Sequence, residues 1–237
     1  MTQKNPPVYF PDQDALARVL SRSVFDLWKV VNDLTSLRPP RWSRYRVTIF
    51  GSARVGTDQS AYTEVKRLAA AIASMGCDVL TGGGPGMMQA ANEGAAEADP
   101  EDRVRSVGIR IQLPFEQGAN PYVEKEYEHQ TFFTRLHHFV IASDAFIVTP
   151  GGIGTVLEAM MVWQLLQVGH LKDTPLILAG DMWKGLIGWM EEAMLGSQPQ
   201  LINPEDLHIA QVASTCDEAI EILRARHDAW LAAGQAG

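Results

Sequence analysis

Three glycine clusters constrain this chain more than any other feature, because each stands where a short β-type run gives way to a helical stretch. They are Phe50-Gly51-Ser52-Ala53-Arg54, Thr81-Gly82-Gly83-Gly84-Pro85-Gly86-Met87-Met88 and Pro150-Gly151-Gly152-Ile153-Gly154-Thr155. Around the first two the pattern reads strand from Tyr45 to Phe50, helix 58 to 75, strand Cys77 to Thr81, helix 86 to 98 and strand Ser106 to Ile111. That rhythm means a parallel sheet covered by helices on both faces. Gln112 to Tyr127, holding Pro114, Gly118 and Pro121, reads as a long loop that returns to regular structure near Glu128. The remainder reads helix Thr134 to Ser143, strand Ala145 to Thr149, helix Gly154 to Val168, strand Pro175 to Ala179 and helix Trp183 to Leu195. A Pro/Gly/Gln-rich loop, strand Leu207 to Val212 and helix Asp217 to Leu231 close the chain.

Ahead of the sheet, residues 12 to 37 carry Leu16, Val19, Leu20, Val24, Leu27, Val30, Val31 and Leu34 at helical spacing, ended by Arg38-Pro39-Pro40. The expected organisation is a helical extension over 1–44 and a doubly wound α/β domain over 45–237. A chain of 237 residues, 46% hydrophobic, buries an ample core without staples. Cys77 and Cys216 lie far apart and form no ligand cluster, so no disulfide framework or metal site is expected. The net charge of −8 argues against nucleic acid and anionic membranes as partners, since both need a basic field. Met1 to Pro7 lacks the apolar core of a signal peptide and no long apolar run occurs, so a cytoplasmic location is expected.

The position of the glycine clusters matters more than their composition. Each marks the carboxyl end of a parallel strand, the edge where open α/β sheets bind ligands. Glycines let backbone N–H groups approach an anion, and a helix starting just afterwards adds its positive dipole end. The candidate phosphate-binding set is therefore Gly51, Ser52, Gly83, Gly84, Gly86, Gly151, Gly152, Gly154 and Thr155. Any one cluster has a purely steric explanation as a turn; three together favour a shared site. No Gly-Lys-Ser/Thr follows any of them, and the sixth position counted from Gly82 is Met87, so neither a nucleoside triphosphatase loop nor the dinucleotide GxGxxG spacing is present. A mononucleotide fits better.

Glu158 is the most informative acid. Its helix, Thr155 to Leu166, is apolar on nearly every side, so the carboxylate is an isolated charge rather than part of a solvated stripe. Thr155 and Glu158 share a face, so a phosphate at the helix start would present its ribose to Glu158. The alternative is a buried Glu satisfied by a neighbouring Arg or backbone group. Arg135 lies near the start of the preceding helix. His137 and His138 are adjacent, point in different directions and make a poor metal pair. Asp144 reads as structural, and Thr149-Pro150 fixes the entry of the third glycine turn.

Over roughly residues 45 to 225, these residues resemble the Lonely guy (LOG) family of nucleoside 5′-monophosphate phosphoribohydrolases, long mislabelled as lysine decarboxylases. Pro150-Gly151-Gly152-Ile153-Gly154-Thr155-Val156-Leu157-Glu158 fits the family pattern PGGxGTxxE. The Thr81 to Met88 loop is similar to the family's glycine loop, and Leu113 to Gln117 with Asn120-Pro121-Tyr122 is also similar to family segments. Arg135 stands where the family's catalytic arginine stands, 23 positions before Glu158. Leu136 and Leu157 depart from the pattern, where members commonly carry Lys and Glu.

The resemblance implies a Rossmann-like sheet and hydrolysis of the N-glycosidic bond of a purine nucleoside monophosphate such as AMP or a cytokinin riboside 5′-monophosphate. Arg135 and Glu158 would be catalytic, with no metal and no cofactor. An ionised Glu158 would stabilise positive charge on the ribose ring, hold its hydroxyls or activate water. A pyridoxal decarboxylase is rejected, because no lysine lies in the three clusters to form a Schiff base. The rival reading is a non-catalytic carrier of the same architecture, such as those that hold the molybdenum cofactor. The apolar Met160 to Leu166 stretch predicts a homodimer or higher homo-oligomer.

Overall fold

The computed structural model describes residues 13–36, 43–99, 101, 103–112 and 118–235. The chain divides into two units, Met1–Trp42 and Ser43–Gly237. In the first, α1 (Gln13–Ser36) is the one element among the described residues, and it exposes Val19, Leu20, Val24 and Phe25. Arg38-Pro39-Pro40, expected to end it, lies outside the described residues.

The second unit runs β1 (Arg46–Phe50), α2 (Ser60–Ser74), β2 (Asp78–Thr81), α3 (Met87–Ala98), β3 (Ser106–Ile111), β4 (Lys125–His129), α4 (Phe132–Ala142) and β5 (Ala145–Val148). It continues through α5 (Ile153–Gln167), β6 (Leu176–Ala179), α6 (Met182–Met190) with one π turn at Glu191–Leu195, α7 (Pro204–Leu207), β7 (Ala210–Ala213) and α8 (Cys216–Gln235). The strands form a seven-stranded parallel sheet in the order β4-β3-β2-β1-β5-β6-β7. The doubly wound α/β fold expected from the strand and helix rhythm is the fold observed.

Two stretches differ from the sequence reading. Lys125–His129, expected to lie mostly in a loop, is β4, paired along its length with β3. Its sequence Lys-Glu-Tyr-Glu-His is largely exposed, as suits an edge strand whose charges discourage further pairing, so no apolar run announces it. The last strand is shorter and later than Leu207 to Val212. Pro204–Leu207 is instead a helical turn started by proline and a capping box between Asn203 and Asp206, and β7 begins at Ala210.

Alternation along the strands separates two cores. Val47, Ile49, Val79, Ala145, Ile147 and Ile177 face α2, α3 and α8, whereas Phe50, Leu80, Ile109, Phe146, Val148 and Leu178 face α4, α5 and α6. At the sheet's amino edge, Asp144 accepts from the Arg46 N–H at 2.9 Å and aligns β5 with β1, the structural role its position suggested. At the carboxyl edge the strand order reverses between β1 and β5. That reversal opens the crevice where such sheets take ligands.

Candidate functional site

Because β2, β1 and β5 are neighbours in the sheet, the three glycine clusters that follow them are neighbours too. Backbone hydrogen bonds tie them together: Ser52 N–H donates to the Pro150 carbonyl at 3.2 Å, and Met87 N–H donates to the Ser52 carbonyl at 2.9 Å. This closeness explains the glycines. A side chain on Gly51 would run into Thr149 and Met87, and one on Gly86, whose φ is 70°, would run into the Ser52 carbonyl.

The clusters end at two helix N-termini without side-chain caps, Gly86 before α3 and Gly152 before α5. The first intrahelical bond of α5 runs from Val156 N–H to the Gly152 carbonyl, so the N–H groups of Ile153, Gly154 and Thr155 lie ahead of it and point out of the helix end. Gly152 and Gly154 have open space around them, and Ile153 is 89% exposed. The Thr155 side chain turns back against Gly151 and is buried, which leaves Thr155 only its backbone to offer. Ser52 Oγ accepts from Arg54 N–H at 3.1 Å and shapes its own turn.

Arg135 and Glu158 meet. The Arg135 Nη1 donates to Glu158 Oε1 at 2.9 Å, although the residues lie on different helices. The guanidinium is fixed further by a 2.8 Å bond from Nε to the Ile109 carbonyl at the end of β3 and by the Phe139 ring, 5.1 Å from its carbon. Gly82 clears room for it, since a side chain there would strike Nη2. The pair therefore sits against the end of β3 and the loop after β2, on the face that α4 and α5 cover. Glu158 is only 8% exposed. Burial pushes its carboxyl up to about 7, against the opposing pull of Arg135. Desolvation is thus the larger influence on this carboxyl, and the Arg135 charge the smaller, opposing one.

The ion pair is the bland alternative considered from sequence, a buried Glu satisfied by an Arg. It is also a charged pair on the helix whose uncapped start has open space at Gly152 and Gly154. His138 Nδ1 lies 2.9 Å from His129 Nε2, while His137 stands apart, and among the described residues no three His, Cys, Asp or Glu side chains gather to hold a metal. Leu113 to Gln117 lies outside the described residues.

The sequence reading missed a second polar group, formed by Thr81, Asn92, Ser106 and Asn120, all buried beneath the Gly82 to Gly86 loop. Thr81 and Asn120 stand in segments noted for their family likeness, but only Asn92, a polar residue inside the small-residue run Ala90-Ala91-Asn92-Glu93-Gly94, signals a buried amide.

A family model described as "Possible lysine decarboxylase" matches residues 88–223. A rice (Oryza sativa subsp. japonica) protein named "probable cytokinin riboside 5′-monophosphate phosphoribohydrolase" is 36% identical over 90 residues, 36% of this chain and 35% of its own. An Escherichia coli pyrimidine/purine nucleotide 5′-monophosphate nucleosidase is 29% identical over 129 residues, 52% of this chain and 28% of its own. The matched segments thus span about a third of these relatives' length. Among solved structures, the molybdenum cofactor binding protein of Rippkaea orientalis shares the fold with a TM-score of 0.59 at 20% identity, covering 78% of this chain and 98% of that one. The molybdenum cofactor carrier protein of Chlamydomonas reinhardtii does so with a TM-score of 0.55 at 18% identity, covering 77% and 98%. With more than half its length matched, this chain belongs to the family described as possible lysine decarboxylase, the Lonely guy family.

Proposed function

We propose that this chain hydrolyses the N-glycosidic bond of a purine nucleoside 5′-monophosphate, AMP or a cytokinin riboside 5′-monophosphate, to free base and ribose 5-phosphate. The observation that carries the reading is the buried Arg135–Glu158 pair beside the uncapped start of α5. Glu158 lies five residues into that helix, about 7.5 Å of rise. A phosphate held by the N–H groups of Gly152 to Thr155 therefore places its ribose within reach of the carboxyl. The names of the rice and E. coli relatives supply the same reaction class.

In the proposed reaction, the bond from C1′ to the base nitrogen breaks with its electron pair leaving on the base, and a positive charge grows on the ribose ring. Glu158 as the carboxylate stabilises that charge and takes a proton from the water that adds to C1′. The proton ends on the departing base, which balances the reaction as ribotide plus water giving base plus ribose 5-phosphate. Arg135 holds Glu158 in place and moderates the rise in its pKa.

The reading extends to a homodimer, with a changed interface. Met160, Met161, Leu165 and Leu166 pack in part against their own core. Phe132 and Phe133 on α4 and Ile153 and Leu157 on α5 instead expose their apolar side chains, and the interface is placed there.

Base release from AMP, GMP, CMP and N6-isopentenyl-AMP, measured beside Glu158→Gln, tests the reaction. At least one purine monophosphate is cleaved, and the variant loses about a hundredfold or more in kcat. Tight binding without turnover would support the carrier reading instead.

A further inference from the structure

Resting on that reading, we infer that Asn120 is a positioning residue, which aims the backbone N–H of Gly84 at the bound nucleotide. Asn120 lies in the connection from β3 to β4, away from the three clusters in sequence, yet it grips the second one from below. Its N–H donates to the Gly83 carbonyl at 2.8 Å, and its Nδ2 donates to the Gly84 carbonyl at 3.0 Å. In a trans peptide the carbonyl of one residue and the N–H of the next point in opposite directions. Drawing the Gly83 carbonyl toward Asn120 therefore turns the Gly84 N–H away from it. Among the described residues no acceptor meets that N–H, although Gly84 is buried. A buried N–H without a partner is uncommon in a native fold, and an oxygen of the ligand supplies what is missing.

The grip is directional because every amide in it has one workable orientation. Asn92 Oδ1 accepts from Thr81 Oγ1 at 2.6 Å and from Asn120 Nδ2 at 2.9 Å, so its own Nδ2 must face Ser106 Oγ, at 2.9 Å. The Ser106 hydroxyl in turn donates to the Tyr122 carbonyl at 2.8 Å, and Tyr122 N–H donates to Asn120 Oδ1 at 3.2 Å. Thr81 Oγ1 completes the arrangement by accepting from Gly83 N–H at 2.9 Å, which holds Gly83 at a φ of 72°. Thr81 and Asn92 are fully buried, so water cannot replace a lost partner cheaply. The arrangement fixes the loop before the ligand arrives, which spares the cost of ordering it on binding.

Steady-state kinetics and calorimetric titration with AMP on the full chain test this in Asn120→Ala, Thr81→Val and Thr81→Ser. Thr81→Val removes the hydroxyl at nearly constant volume, and it carries the test should Asn120→Ala fail to fold. The expected result is a rise of about tenfold in KM and in Kd for Asn120→Ala and Thr81→Val, with kcat within about threefold and with Thr81→Ser near the wild type. A network that only supports the fold would lower the active fraction, so kcat would fall while KM and Kd stayed put. That result overturns the inference and leaves the proposed reaction standing. Should AMP not bind, N6-isopentenyl-AMP and GMP replace it in the same titrations. Wild-type protein that binds one of these purine monophosphates but cleaves none, with the same loss of affinity in the variants, overturns the reaction and keeps the inference. Wild-type protein that neither binds nor cleaves any of them overturns both.

Discussion

The two faces of the sheet solve the same packing problem in opposite ways. On the face covered by α2, α3 and α8, the interior is rich in alanine, its buried polar side chains Thr81, Asn92 and Ser106 are uncharged, and ion pairs lie toward the outside, where Lys66 bridges Glu93 and Glu97 and Arg67 joins Glu64 to Asp217. On the face covered by α4, α5 and α6, the interior is aromatic, with Phe50, Phe139, Phe146, Trp163 and Trp183, and it admits the Arg135–Glu158 pair. Phe133, 70% exposed, stands outside with Phe132, Ile141, Leu157 and Trp189. Charge inside and oil outside is a poor way to stabilise a monomer, because desolvating an ion pair costs more than its attraction usually returns. The first face keeps charge out of its interior, and the second gives up stability to admit a charged pair.

The sharpest way to break this comparison is Arg135→Met. The Glu158 carboxyl sits at about 7 when folded against an ordinary 4.5, so the folded form binds more protons. Its contribution to stability is present below about 4.5 and is lost as pH rises through about 7. Removing Arg135 takes away the charge that lowers this value and widens the window upward. Urea unfolding is expected to show the variant destabilised by about 3 to 5 kcal/mol at pH 9 and by much less at pH 5. An equal loss at both pH values would mean that Glu158 is not desolvated there.

A smaller effect is expected at the outer surface of the same face. Phe133→Ser combined with Leu157→Ser should weaken self-association by more than about tenfold, roughly 1.4 kcal/mol, as read by size exclusion with light scattering. Wild-type protein that stays monomeric at micromolar concentration would remove the dimer from the proposal. The smallest effect belongs to the other face. Lys66→Ala should cost about 1 kcal/mol, since Glu97 is a surface carboxylate and the more buried Glu93 keeps the Tyr62 hydroxyl as a donor, and should leave AMP kinetics unchanged. A change in KM there would show that the outer ion pairs of this face, and not only its buried amides, reach the site.

How much of this was legible depended on whether a residue's signal was local. The strands β1, β2, β3 and β5 and the helices between them were readable because each is an apolar run punctuated by glycine. β4 was not, because an edge strand of alternating charges looks like loop until its partner β3 is known. Glu158 stands out as a charge in an apolar helix, and the sequence leaves open whether an arginine or a backbone group satisfies it, without pointing to Arg135. Asn120 and Asn92, far apart in the chain, gave no hint that one amide would complete the other.

The order of strands and helices, the three glycine turns and the candidacy of Arg135 and Glu158 were set by the sequence alone, since turn chemistry and hydrophobic periodicity act between near neighbours. Tertiary structure decided the rest: that the turns after β2, β1 and β5 are bound to one another, that burial raises the Glu158 carboxyl, and that Asn120 grips a loop 36 residues before it in the chain. Each of these depends on burial and on contacts between distant segments. Desolvation and hydrogen-bond direction exist only once the chain has closed around them.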